Sequence, residues 1–271
     1  MKNTLPTLLL FIFLFSIVLL SANSIHSFKN ITAGNTDTIP PKNNNHLCLI
    51  KGPERKPLML TEAVADSLYL WNKNKILKVY FWKDDMDIGK DVLKIASEWT
   101  PYSGIKLIRV YDRTESDIRV SFQTKGFWSY IGSYAEKISK KEITLSLDSI
   151  FLPENIQRFR NVILHEFGHA LGLIHEHQHP GFNIPWIKPK LFNYFKQTYN
   201  IDSTWVYEQV INKFNKTTGI YCTPDLNSIM IYSIPPGVTV NNKYVVDWPA
   251  NLSELDKKFI KNIYNHKKCT D

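Results

Sequence analysis

The sequence predicts an α+β protein with a mixed five-stranded sheet and helices packed against it. Short runs rich in β-branched and aromatic residues recur between residues 76 and 147, and glycine-containing loops separate them. Other segments repeat their apolar residues at steps of three and four, which is the period of an amphipathic helix. The chain has 271 residues and 44% hydrophobic content, so it can bury a sizeable core, and wholesale disorder is excluded.

The first residues have the pattern of an export signal. Lys2 precedes an apolar run over residues 8–20, and small residues follow up to Ser24. We therefore predict a signal peptide at residues 1–24 and a secreted or extracytoplasmic protein. An uncleaved membrane anchor is the alternative, but the run is shorter than the roughly 20 residues that span a bilayer. No stable membrane insertion is expected after the signal is removed.

Residues 25–70 are predicted to form a pro-segment or linker. The part from 27 to 45 is rich in Asn, Thr, Lys and Pro and has no apolar period, and prolines interrupt the next apolar stretch. The rest of the chain, residues 71–271, has the size of one domain.

The elements of this domain follow in order. The helix after the first strand is predicted to end near Gly104. A second helix begins at Pro153, because the missing amide proton of proline costs nothing in the first turn. The last helix begins after Ser253, and the spacing from Ser253 to Asp256 is close to that of a capping box. The five predicted strands cover residues 76–82, 105–110, 118–122, 127–132 and 143–147.

Residues 165–175 carry the strongest chemical signal in the chain, the pattern His-Glu-x-x-His-x-x-Gly-x-x-His. His165 and His169 lie one helical turn apart, so both imidazoles can bind one Zn²⁺ ion. Glu166 projects into the same cleft, where a carboxylate can act as a general base. The pattern predicts a single catalytic zinc ion.

The end of this pattern supplies the third ligand. Gly172 can adopt the left-handed conformation that ends a helix, so that the chain turns and returns His175 to the metal. Three protein ligands leave a fourth position for water, as in catalytic zinc sites. A structural zinc would need a further ligand, for which only His177 or His179 is suitably spaced. We interpret His177 and His179 instead as loop histidines that line the cleft.

This motif, with Glu176 directly after the third histidine, resembles that of the metzincin zinc peptidases and, within them, the astacin-like group. The resemblance runs from Trp71 to the C-terminus. Residues 228–232 are similar to the family's Met-turn, with Met230 beneath the metal. The resemblance implies a metzincin-type zincin fold, with the active-site helix in an upper lobe and a smaller, irregular lower lobe that contains the C-terminal helix. The residues similar to the family's substrate-binding edge strand are Trp128, Ser129, Tyr130, Ile131 and Gly132.

The function implied by the resemblance is that of a secreted zinc-dependent endopeptidase. Glu166 would take a proton from the zinc-bound water and deliver it to the leaving amine. Tyr232 occupies the position of an astacin tyrosine that stabilises the developing oxyanion, and a packed core tyrosine is the alternative. The second interpretation is a catalytically silent, zinc-stabilised secreted binding protein, although the presence of Glu166 argues against silence.

The three cysteines are an odd number for an exported protein. If the pro-segment is removed before Trp71, Cys222 and Cys269 remain as a candidate disulfide. Cys48 is then a candidate latency ligand, because its thiolate can bind zinc at the position of the water and keep a zymogen inactive. A bridge from Cys48 to Cys269 and unpaired thiols are the alternatives.

The expected partner is a protein or peptide substrate that adds to the edge strand by β-augmentation. The formal net charge of +8 could also favour nucleic acid, but the basic residues are scattered rather than clustered. We therefore predict no nucleic-acid partner, and we expect a monomer.

Overall fold

The computed structural model describes residues 48–52, 67–82, 86–148, 159–213 and 222–265 of the chain. The predicted signal peptide, the predicted helix start at Pro153 and the candidate disulfide partner Cys269 lie outside these ranges. Within the described ranges, no helix is long and apolar enough to cross a membrane.

The described strands form one mixed sheet, which confirms the predicted α+β class. They are β1 (Cys48–Lys51), β2 (Ile76–Phe81), β3 (Lys106–Arg109), β4 (Ile118–Ser121), β5 (Phe127–Tyr130) and β6 (Leu145–Leu147). Their order across the sheet is β1-β5-β6-β4-β2-β3. All neighbours are parallel except β5 and β6, which are antiparallel. Every residue of β4 and β6 is buried, because helices and loops cover the middle of the sheet.

The sheet has six strands rather than the predicted five, and the additional strand is β1. It comes from the stretch assigned to a pro-segment or linker, and it pairs with β5 from Cys48 opposite Phe127 to Lys51 opposite Tyr130. Periodicity reveals a strand but not its partner, so the sequence did not show this pairing. In this chain β1 forms the edge and covers β5, so the substrate-binding role of the β5 residues stays a prediction for a domain without β1. The residues concerned are Trp128, Ser129, Tyr130, Ile131 and Gly132.

The described residues also contain six α-helices. The first helical stretch covers residues 86–103 as two α-helices joined by a 3-10 turn, and it ends as predicted at Gly104, which has a φ of 70° and donates its amide proton to the carbonyl of Thr100. The final helix begins with the predicted capping box between Ser253 and Asp256. The helices are α1 (Met86–Ala96), α2 (Thr100–Ser103), α3 (Arg160–Ala170), α4 (Lys188–Tyr199), α5 (Ser203–Val206) and α6 (Glu254–Tyr264).

Buried apolar residues form two main clusters. The larger lies between the sheet and helices α1, α3 and α6, and the smaller is built from α4, α5 and the loops around Phe182 and Ile231. The C-terminal helix packs Phe259, Ile260 and Ile263 into the larger cluster, because these residues share one helix face that points to the core.

Two residues, one near each end of the domain, form hydrogen bonds with the C-terminal end of α3. The Trp71 indole donates to the Ala170 carbonyl at 2.7 Å, and the Tyr264 hydroxyl donates to the Leu171 carbonyl at 2.8 Å. The last carbonyls of a helix have no partner within the helix, so these two buried bonds satisfy groups that would otherwise be costly. They hold the position at which the chain leaves α3.

The turn after β5 is equally tight. Gly132 has a φ of 42°, and a Cβ atom at this position would lie 1.8 Å from the carbonyl oxygen of Tyr69. Gly126 has a φ of 80°, but a Cβ there would meet nothing within 4 Å. The two glycines therefore separate the effect of backbone strain from that of a steric clash.

We predict that Gly132→Ala destabilises the protein much more than Gly126→Ala. A positive φ costs roughly 1–2 kcal/mol for a residue with a Cβ, and the clash with Tyr69 adds about 1–3 kcal/mol at position 132 only. Denaturant unfolding of both variants measures the difference. Equal losses of unfolding free energy would contradict the packing of Tyr69 against this turn.

Candidate metal centre

Four side chains converge at the end of α3. One possible ligand atom from each of Cys48, His165, His169 and His175 lies within 4.8 Å of the others, and all four residues are buried. Three imidazoles and a thiol are the soft and borderline donors that zinc prefers, and four of them suit its tetrahedral geometry. The structure thus brings together the three predicted ligands and the cysteine that was a candidate latency ligand.

Backbone carbonyls orient the two helix histidines. His165 Nδ1 donates to the Ile229 carbonyl at 2.7 Å, and His169 Nδ1 donates to the Leu173 carbonyl at 2.8 Å. A carbonyl can only accept, so each Nδ1 carries the proton and each Nε2 presents a lone pair. Burial lowers the pKa of His165 to about 4, so its ring is neutral near pH 7.

The lone pairs of these rings point to a common place. His165 Nε2 is buried and has no hydrogen-bond partner among the described residues. His169 Nε2 lies 3.2 Å from His175 Nε2, so both atoms face the same point. A buried acceptor without a donor is costly, and a cation at this point would satisfy it. The residues present therefore fit a zinc ion.

Gly172 shapes the turn that returns the third histidine. Its φ is 95°, a conformation that favours glycine, and its amide donates to the His169 carbonyl at 2.8 Å. Leu173 then donates its amide to Gly168 at 2.9 Å, which closes the helix end. The same turn places the Leu173 carbonyl against His169 and brings His175 back to the cluster.

The predicted Met-turn lies against the middle of α3. A Cβ atom on Gly168 would come within 2.4 Å of Met230 Sδ, so only glycine allows this approach. The Met230 carbonyl accepts the amide proton of Glu176 at 3.0 Å. Sequence reasoning missed the role of Gly168, although a glycine inside a helix between two ligands is a signal of close packing.

Asp256 connects the C-terminal helix to the metal centre. Besides its role in the capping box, its carboxylate accepts from the Ser228 hydroxyl at 2.6 Å and from the Ile229 amide at 2.8 Å. The carbonyl of the same Ile229 holds His165. Sequence reasoning found the capping box but not this second role, because the Met-turn lies far from Asp256 in sequence.

Glu166 lies between the helix ligands and contacts Cys48. It is fully buried, and neither carboxylate oxygen has a hydrogen-bond partner of good geometry among the described residues. Burial raises the pKa of Glu166 well above its ordinary value, and the nearby thiol opposes this rise. Burial, and then the charge of Glu166, raise the pKa of Cys48. A bound cation would favour the charged forms of both groups.

Tyr232 lies beside the cluster and forms a hydrogen bond with β1. Its ring centroid lies 4.2 Å from that of His175 and 4.4 Å from that of His177. Its hydroxyl donates to the carbonyl of Cys48. The Tyr232 hydroxyl is therefore bound to β1, the strand that contains the candidate latency ligand Cys48.

The two loop histidines, His177 and His179, are not part of the cluster. His177 Nε2 donates to the Gln209 carbonyl at 3.1 Å, and His179 Nε2 donates to the Cys222 carbonyl at 2.9 Å. Both rings thus fasten the loop that follows the third ligand, and the fourth donor of the cluster is Cys48 instead.

The cysteines differ in state. Cys48 is a free, buried thiol, whereas Cys222 is disulfide-bonded. Cys269 lies outside the described residues, so the pairing of Cys222 with Cys269 stays a prediction.

The family model described as Astacin, a peptidase family, matches residues 63–242. A structure described as "Structure of myroilysin" is 33% identical, with a TM-score of 0.69 and coverage of 74% of this chain and 97% of that one. A crystal structure of myroilysin is 28% identical, with a TM-score of 0.58 and coverage of 88% and 99%. A search among curated proteins found no match.

A more distant structure shows the fold alone. It is High choriolytic enzyme 1, a hatching enzyme zinc-protease from Oryzias latipes, the medaka fish. It is 17% identical, has a TM-score of 0.51 and covers 78% of this chain and 100% of its own.

We predict that Asp256→Asn weakens metal binding. The variant replaces an acceptor oxygen with an amide group where Ser228 and Ile229 both donate, so the Ile229 carbonyl no longer holds His165 in place. Loss of such an outer partner typically costs about 10–100-fold in metal affinity. Competition between the protein and a zinc chelator measures this affinity.

Ser253→Ala is the matched control for this variant. It removes the hydroxyl that caps α6, at a cost of about 1 kcal/mol of stability, but leaves the carboxylate on the Met-turn. Zinc affinity should stay within about twofold of wild type. An equal loss of affinity in both variants would show that general destabilisation, not the Met-turn, controls the centre.

Proposed function

The chain belongs to the astacin family of zinc metalloendopeptidases, and we propose that it hydrolyses peptide bonds with Glu166 as the proton-transfer residue. His165, His169 and His175 would hold one zinc ion. The observation that carries this proposal is the convergence of three imidazoles, two of them oriented by backbone carbonyls, beside the buried carboxylate of Glu166. The family acts on peptide bonds, so the substrate is a protein or peptide. A silent binding protein would have no use for a carboxylate at this place.

The chemistry follows from the groups around the metal position. Zinc bound there supplies a Lewis acid, which acidifies a water molecule and polarises the scissile carbonyl. Glu166 accepts the proton of the attacking water and then donates it to the amine that leaves.

Tyr232 is proposed as a second catalytic group. Its ring packs on that of His175, which places the side chain beside the metal position. A hydroxyl that donates to the Cys48 carbonyl can donate equally to an oxyanion that develops on a substrate carbonyl. This role requires that β1 leaves first.

We further propose that β1 keeps the chain inactive as a zymogen. Cys48 supplies the fourth donor of the cluster and would occupy the position needed by water. The strand also covers β5, on which an extended substrate would bind. Two requirements for catalysis are therefore blocked by four residues of one strand.

Export and processing complete the proposal. The predicted export signal at residues 1–24 supports the proposal of secretion, and the pro-segment would include β1. Tyr69 contacts the turn at Gly132, and Leu70 contacts the turn at Gly172. The family match begins at residue 63. These observations support a catalytic domain that starts somewhat before Trp71 and retains Tyr69 and Leu70 after processing.

We predict that Glu166→Gln binds zinc but loses activity. The amide cannot accept the proton of the attacking water, and loss of general acid–base catalysis costs about 10²–10⁴-fold in rate. Hydrolysis of unfolded casein by the processed chain measures activity, and metal analysis measures zinc. Glu254→Gln, at an exposed position on α6, is the control and should keep its activity. Wild-type hydrolysis by a zinc-loaded Glu166→Gln enzyme would refute the assignment.

We predict that Cys48→Ser releases part of the latency. A hydroxyl is a much poorer zinc ligand than a thiolate, so the unprocessed variant should cleave a short fluorogenic peptide at least about tenfold faster than the unprocessed wild type. Leu49→Ser, on the opposite face of β1, is the control and should remain latent. In the zinc-loaded wild type, the Cys48 thiol should resist a thiol reagent until a chelator is added. A rapidly reacting thiol, together with a latent Cys48→Ser chain, would contradict the proposal.

A further inference from the structure

The last residue of β1 lies on an aromatic surface. Lys51 Nζ is 3.3 Å from the centroid of the Trp128 ring and 5.9 Å from that of Tyr130. The two rings meet edge to face, with centroids 6.0 Å apart. We call the faces of Trp128 and Tyr130 the aromatic ledge.

Lys51 is held by this ledge rather than by an acidic partner. Among the described residues it forms no ion pair, and burial lowers its pKa with no carboxylate acting against this. The ammonium therefore gives up part of its hydration for contact with an indole face. A contact that competes with water in this way indicates a surface suited to cations.

The ledge lies in the groove that β1 fills. Lys51 is three residues after Cys48, and its carbonyl accepts the amide proton of Ile131 at 2.9 Å. Trp128 is only 7% exposed while the strand is present. Removal of β1 would uncover the indole face and the amides of β5 together. A peptide that adds to β5 would then place alternate side chains over this face.

This inference rests on the function proposed above. We propose that the aromatic ledge is a substrate subsite that selects a lysine or arginine side chain near the scissile bond. The ring faces carry negative electrostatic potential, so they attract a cation and repel a carboxylate. The strand that blocks the groove thus carries, in Lys51, the kind of side chain that the groove selects.

The test uses fluorogenic peptides and the processed enzyme. The peptides share one sequence, and lysine or norleucine is placed in turn at each of the positions flanking the scissile bond. Norleucine keeps the aliphatic chain but lacks the ammonium group. We expect kcat/KM for lysine to exceed that for norleucine by about fivefold at one or two positions, and glutamate there to be the poorest. Equal values at every position overturn the inference.

Substitutions assign the preference to the ledge. Trp128→Leu should bring the ratio of lysine to norleucine close to one, whereas Trp128→Phe should keep most of it. Tyr111→Leu is the control, because Tyr111 is an exposed aromatic residue that also contacts a cation, Arg109. The control should keep the wild-type ratio. A lysine preference that survives in Trp128→Leu overturns the assignment, and so does its loss in Tyr111→Leu.

The outcomes also separate this inference from the function on which it rests. If the processed wild type cleaves casein and both peptides at equal rates, the peptidase function stands and the subsite is refuted. If it cleaves none of them with zinc bound, the proposed function itself fails. Should Trp128→Leu not fold, the wild-type ratio and Trp128→Phe still decide the question.

Discussion

The hydrogen bond from His165 Nδ1 to the carbonyl of Ile229 is the contact on which the centre depends. It fixes which ring nitrogen faces the other ligands, and it ties the active-site helix to the Met-turn. The position of Ile229 in turn depends on Asp256, which binds its amide. Two buried hydrogen bonds therefore link the C-terminal helix to His165, one from Ile229 to Asp256 and one from His165 to Ile229. Each such bond adds only a little net stability, but a buried donor or acceptor without a partner is costly. Other arrangements of these residues are therefore disfavoured.

Two glycines make this arrangement sterically feasible. Gly168 allows Met230 to pack directly on α3, and Gly172 allows the chain to reverse within one residue. Without the first, the side chain of Met230 would have to leave its present position against the helix. Without the second, His175 could not return to the cluster. The ligand geometry is thus a consequence of backbone packing around α3 as much as of the ligands themselves.

Sequence reasoning could predict what depends on local spacing. Two histidines one turn apart, a glycine with positive φ and a capping box are decided within a few residues, and the structure contains all three. The pairing of β1 with β5 could not be predicted, because a strand's pattern does not identify its partner across a long separation. The second role of Asp256 was missed for the same reason. Cys48 was a candidate only through the odd count of cysteines.

Two kinds of interaction bind β1 in the groove: the contacts of the strand with its neighbours, and the thiol of Cys48. The backbone bonds to β5, the Tyr232 bond to Cys48 and the contact of Lys51 with the ledge each contribute about 1 kcal/mol. A substrate strand could gain similar contacts in the same groove. Two properties then distinguish β1 from substrate: its attachment to the domain, which gives it a high effective concentration, and its thiol, which reaches the metal position. Cleavage of the proposed pro-segment would remove the first property at once. Only the thiol would then distinguish the strand from a substrate, and a thiolate at this buried position is favourable only while a cation lies beside it. The proposed latency would therefore depend jointly on the integrity of the chain and on the metal.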